Sequence, residues 1–195
     1  MTTNDAPPDL PAAVRRLESP AAADLSHLAE VFEDLQTVLR CCEQLVTALR
    51  VPAPDPALVE ALWTTALLSY ARCFAAGALE EADVSTAQPE GEVLDWHRVV
   101  LRLRDHYADP VTNPRERFAV GVAQDSSGRP DGVALTSTRQ PLVDEVTVRQ
   151  TGAVCYALSG LVDARMSVGQ AALFDEVRDV TAEDLEALAR VELAT

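Results

Sequence analysis

Residues 101–116, LRLRDHYADPVTNPRE, bring three Arg, two Asp, a Glu, a His, a Tyr and two Pro into one short stretch. Arginine forks around oxygen anions and histidine moves a proton near neutral pH, so this mixture has the parts for holding a phosphate or acting on RNA. Upstream, His97 stands seven residues before Arg104, about 20° from eclipsed on a helix, so the two share a face. The residues singled out as a ligand or partner surface are therefore His97, Arg104, Asp109 and Asn113. Ordinary structure accounts for the same residues. Cations in a last helical turn offset the helix dipole by about 0.3 to 1 kcal/mol apiece. Asp109 before Pro110 and Asn113 before Pro114 are turn formers. His97 beside Trp96 has the setting of a hydrogen-bonded core histidine. On balance the stretch reads as a helix exit.

Arg104 followed by the polar Asp105, at the end of a helix in a chain of this size, resembles the motif of HEPN domains. That helical family includes RNA-cleaving bacterial toxins and defence proteins, and its motif is an Arg, a polar residue and, a short interval on, a His. The resemblance spans about residues 24–108 and implies a helical bundle. In an active member it implies RNA cleavage, here by an altered centre of Arg104, Asp105 and His106 in a toxin or phage-defence setting. Where the family's His would fall, this chain has Asp109, Pro110 and Val111, and His106 follows Arg104 too closely. Loss of that His implies a noncatalytic interaction protein that binds a protein partner or small ligand, and this is the reading preferred to a ribonuclease.

Composition narrows the remaining classes. A net charge of −15 repels duplex DNA, leaving RNA as a partner only under the ribonuclease alternative. All 16 basic residues are Arg and there is no Lys or Ile, a bias of composition that weakens any single Arg as a sign of phosphate binding. No apolar run is long enough for a membrane span and the first residues lack a signal-peptide pattern, so the expected location is the cytoplasm. Cys41, Cys42, Cys73 and Cys155 form no CxxC and are expected as buried free thiols; neither metal nor cofactor is expected.

The elements that must hold these residues are mainly helical, because aromatics are only 5% and the core falls to Leu, Val and Ala. Residues 1–23 read as a flexible arm or one short helical turn around Pro11 to Leu17, and 24–195 as a single domain. Apolar residues from Leu25 to Leu49 recur at threes and fours, with Asp24 or Ser26 as cap. A second helix has Asp55 as cap, Pro56 at its first position and an end at Gly77. Residues 78–91 read as a loop, and 92–105 as a third helix closed by Pro110. The period then shifts to two: 118–124 and 133–138 flank a Gly, Pro and Asp-rich turn, giving an antiparallel hairpin over about 118–138, with Ala119, Gly121 and Ala123 on a face suited to lie against a helix. A long helix from Val143 to Met166 follows, its Gly152 and Gly160 read as points of close helix approach, and Thr181 caps a last short helix. The fold class is thus mainly α, a bundle of four to six helices with one small antiparallel hairpin. The surplus of apolar and small surface on the long helix points to a homodimer.

Overall fold

The computed structural model describes residues 13–75, 77–88 and 91–192. Its elements, in chain order, are β1 (Val14–Arg15), α1 (Pro20–Leu49), α2 (Pro56–Ala75), α3 (Glu81–Ala87), α4 (Val93–Ala108), β2 (Glu116–Gln124), β3 (Pro130–Arg139), α5 (Glu145–Val177), α6 (Ala182–Ala187) and β4 (Arg190–Val191). The fold is mainly α with a small antiparallel hairpin, as the periodicity predicts.

Helix α1 packs against α2 on one side and α5 on the other, and α4 packs against α2. Because it is covered from two directions, α1 buries a broad face, Val31, Leu35, Val38, Cys42 and Leu45, with Leu28, Phe32 and Leu39 half-buried at its margins. The helix also begins earlier than Asp24. Ser19 is its cap, the Oγ accepting from the Ala22 amide at 3.1 Å, and Pro20 with three alanines carries it forward. Trp63, Leu67 and Tyr70 of α2 and Leu158 and Val162 of α5 complete the core. The four cysteines are buried and free within it.

Five expectations do not hold in the fold. Residues 1–12 of the expected arm lie outside the described residues; next to them Val14 and Arg15 form not a helical turn but a strand paired antiparallel with Val191 and Arg190. Residues 78–91 are not all loop, since α3 forms where Leu79 and Val84 reach the core. Helix α5 continues past Met166 to Val177, its run of Gln, Ala and Leu offering no breaker. The hairpin pairs as expected, Val120 with Leu135 and Val122 with Val133, but it does not lie along a helix. Its strands are almost wholly exposed, and a Cβ added at Gly121 would meet nothing within 4 Å. Nor does either α5 glycine serve a tight contact inside the chain: a Cβ at Gly152 would meet Cys42 at an ordinary 3.6 Å, and one at Gly160 would meet nothing.

Helix α3 is held to α5 by one ion pair. Arg165 donates to the Asp83 carboxylate and, at 3.4 Å, to the Ala78 carbonyl, while Asp83 also accepts from the Glu80 amide at 2.9 Å. Burial alone would raise the Asp83 pKa, but the hydrogen bonds from Arg165 and Glu80 and the arginine's charge together bring it below its ordinary 3.8. A folded-state value below the unfolded one means that the contribution is complete above pH 3.8 and is lost as pH falls through the lower folded value. Hydrogen bonds to charged groups contribute about 1.5 to 3 kcal/mol, reduced here to about 1 kcal/mol by the exposure of Arg165. Asp83→Asn should therefore lower the melting temperature at pH 7 by about 2 to 4 °C and flatten its decline below pH 4; equal melting curves across pH 3 to 7 would show that the pair contributes nothing.

Candidate functional site

The α4 exit scatters the residues that its sequence had grouped. His97 does not reach the surface: it is 2% exposed, its Nδ1 is 2.8 Å from the Tyr70 hydroxyl, and its ring meets Phe74 edge-on at 4.5 Å. Burial holds the Tyr70 phenol far above its usual pKa, so the hydroxyl stays protonated and shares a hydrogen bond with Nδ1. Burial likewise lowers the His97 pKa, with Glu81 opposing and Arg98 assisting, and the ring stays neutral. His97 is a core histidine bonded to α2, and it takes no part in a ligand or partner surface.

Arg104 and Asp105 stand side by side, Nε 3.1 Å from Oδ1, with both side chains substantially exposed. The pair is close enough to attract but misaligned for a hydrogen bond, and the Nε is left unpartnered. His106 is exposed and leans edge-on toward Tyr107, ring centres 5.7 Å apart. Asp109 accepts from the Val111 amide at 2.9 Å and the Thr112 hydroxyl at 2.6 Å, and Asn113 Oδ1 accepts from the Arg115 amide at 2.9 Å. The Thr112 hydroxyl first, then the Val111 amide, hold the Asp109 carboxyl below the usual carboxylate range. These are Asx turns that shape the path from α4 into β2. None of Arg104, Asp105, His106, Asp109 and Asn113 lines either of two cavities beside α4.

The same stretch does contribute to a cavity, through other residues. A space of about 730 Å³ opens between the start of α2, the end of α4 and the foot of the hairpin. Val59, Trp63 and Tyr107 give it apolar walls, and Pro114, Arg115, Glu116 and Arg139 come from the hairpin foot. Arg115 faces Glu60 and Arg139 faces Glu116, each at 3.5 Å. Its size suits a small molecule and its charged groups balance nearly one for one. Tyr107 is the stretch's link to this space; burial, with Glu60 adding to it, raises its pKa, so it offers a neutral hydroxyl. The ionisable lining of the space is Asp55, Glu60, Glu116, Tyr107, Arg115 and Arg139. The sequence could not reveal it, because Glu60 and Arg115 meet only through the fold. A second space of about 430 Å³ lies between Trp96 on α4 and Gln150 and Ala153 on α5. Among the described residues no three of His, Cys, Asp and Glu gather closely enough to hold a metal ion.

An uncovered apolar surface lies on the hairpin. The register puts Phe118, Val120 and Val122 of β2 on one face with Val133 and Leu135 of β3, and these five are between 58% and 77% exposed. Sequence periodicity found the strands but placed their small side, Ala119, Gly121 and Ala123, against a helix; in the fold neither face of the hairpin is packed, and the large side is the apolar one. Compared with protein-family models, curated proteins and solved structures, the chain gives no match.

Each residue now has a distinguishable energetic role. Tyr70→Phe strands a buried imidazole nitrogen and should cost about 1 to 3 kcal/mol in denaturant unfolding, whereas Arg104→Ala, which removes an exposed pair, should cost about 0 to 1 kcal/mol. His106→Ala should leave the midpoint unchanged. The reverse order would make the α4 exit, and not its buried flank, the stabilising part.

Proposed function

We propose that the chain is a noncatalytic interaction protein, HEPN-like in helical outline, that grips a protein partner with the β2–β3 hairpin. The observation carrying this reading is the hairpin's exposed apolar face. A two-stranded ribbon is marginal by itself, and a contiguous exposed patch of large apolar side chains marks an interaction site. The charge pattern favours the same surface: residues 115–139 carry four Arg against three carboxylates, a slightly positive arm on a chain of net charge −15. A partner offering an apolar strip with an acidic margin would meet the arm and be repelled from the body.

Support for the absence of catalysis comes from the α4 exit, where Asp105 and His106 are exposed, Arg104 is half-buried with its Nε unpartnered, and none of the three lines the two cavities beside α4. The proposed setting is the cytoplasm. Four buried free thiols suit a reducing compartment, and no helix among the described residues is long and apolar enough to cross a membrane.

The test is affinity capture from the native cell, with protein identified by mass spectrometry and RNA analysed in parallel. Val120→Asp combined with Leu135→Asp should leave the helical circular dichroism intact and cut recovery of the captured protein at least tenfold. Purified protein should not cleave RNA. Cleavage that disappears in His106→Ala with the fold preserved would replace this reading by the ribonuclease.

A further inference from the structure

Helix α5 carries a second uncovered face. Val148, Cys155, Leu158 and Val162 turn inward, and on the opposite side Ala153, Tyr156, Gly160, Ala164, Ser167 and Ala171 are all exposed. Their spacing alternates between threes and fours, the repeat with which one helix seam meets another. The seam extends to Val146 at one end and Phe174 at the other; with Tyr156, these are 65%, 66% and 75% exposed. The outer face of a solvated helix is ordinarily charged. Here no charged residue lies on the seam from Ala153 to Phe174, and Asp163 stands on its flank.

The seam is symmetric about Gly160. Tyr156 and Ala164 lie four residues to either side, Ala153 and Ser167 seven, and Val146 and Phe174 fourteen. Two copies laid antiparallel with their dyad at Gly160 would place Tyr156 over Ala164 and Ala153 over Ser167, with Val146 meeting Phe174 at both ends. Large side chains then fall opposite small ones near the crossing, where two glycines admit the closest approach. Inside one protomer nothing explains Gly160, since a Cβ there would meet nothing within 4 Å. Arg149, eleven residues before the dyad, is the counterpart of Ala171, and Asp175 lies fifteen after it, so the antiparallel arrangement brings each Arg149, paired in its own chain with Glu145, within about one helical turn of Asp175 on the other copy, itself paired with Arg178.

We infer that α5 is the interface of an antiparallel homodimer whose two-fold axis passes at Gly160. A self-complementary patch is what a two-fold interface requires. From Val146 to Phe174 the seam is about 42 Å long and about 10 Å wide, so the two copies bury roughly 1,000 Å² together, the lower end for a specific interface. A dimer of micromolar strength follows. The inference rests on the outer face of α5 and is independent of the hairpin.

Sedimentation equilibrium of the full chain across roughly 1 to 200 µM should show the 21.0 kDa species giving way to twice that mass. Gly160→Arg should weaken association at least tenfold without lowering the melting temperature, because its side chain has open space in the protomer. For register, Gly160→Cys should cross-link to itself under mild oxidation. Ala171→Cys should not, since its two copies would stand about 33 Å apart, far beyond disulfide reach. Val120→Asp with Leu135→Asp should dimerise as the wild type does. The inference is overturned by a 21.0 kDa species at every concentration, by undiminished association of Gly160→Arg, by equal cross-linking of Ala171→Cys, which marks a parallel pair, or by loss of the dimer in the hairpin variant.

Discussion

Helix α1 is buried from two sides, by α2 and by α5, and the rest of the molecule depends on that double contact. With so few aromatics in the chain, three helices must close on one another through Leu, Val, Ala and Cys, and side chains of this size fill a core only when the helices come close. The thiols belong to this packing. Burial, with smaller repulsion from neighbouring groups, raises Cys42 and Cys73 to about 12, so they act as small apolar fillers and not as nucleophiles.

The position of α4 follows from that frame. It lies against α2, where the Tyr70 hydroxyl and the Phe74 ring hold His97 inside and fix the rotation of the helix. With that side turned inward, Asp105 and His106 point to solvent, and Tyr107 turns toward the start of α2. Asp109 and Asn113 then fold the chain back in two Asx turns, delivering Arg115 to Glu60 and launching the hairpin away from the bundle. One buried hydrogen bond thus helps to decide which residues of the stretch border the cavity and which meet solvent.

Two apolar surfaces remain uncovered by the chain itself, the large face of the hairpin and the outer seam of α5. Both are poor solvent surfaces, and the body around them is strongly acidic. Self-repulsion of that body disfavours indiscriminate association, so contact is directed to the few places where charge is low.

Local chemistry was enough to place the long helices, α6 and the hairpin. The three-four spacing of α1 and α2, Asp55 and Pro56 at the start of α2, Thr181 before α6, and the change to a period of two at Phe118 all act through neighbours in the chain. The turn-forming roles of Asp109 and Asn113 were legible for the same reason. Tertiary structure alone decided what depends on partners distant in sequence: α3, held by Val84 and Arg165; the strand Val14–Arg15, which exists only because Arg190 and Val191 lie beside it; and the burial of His97 by Tyr70. It also decided that the hairpin stands clear of the bundle on both faces and that Glu60 meets Arg115. Periodicity says that a helix or strand has two sides, but which side is covered depends on what the fold brings against it.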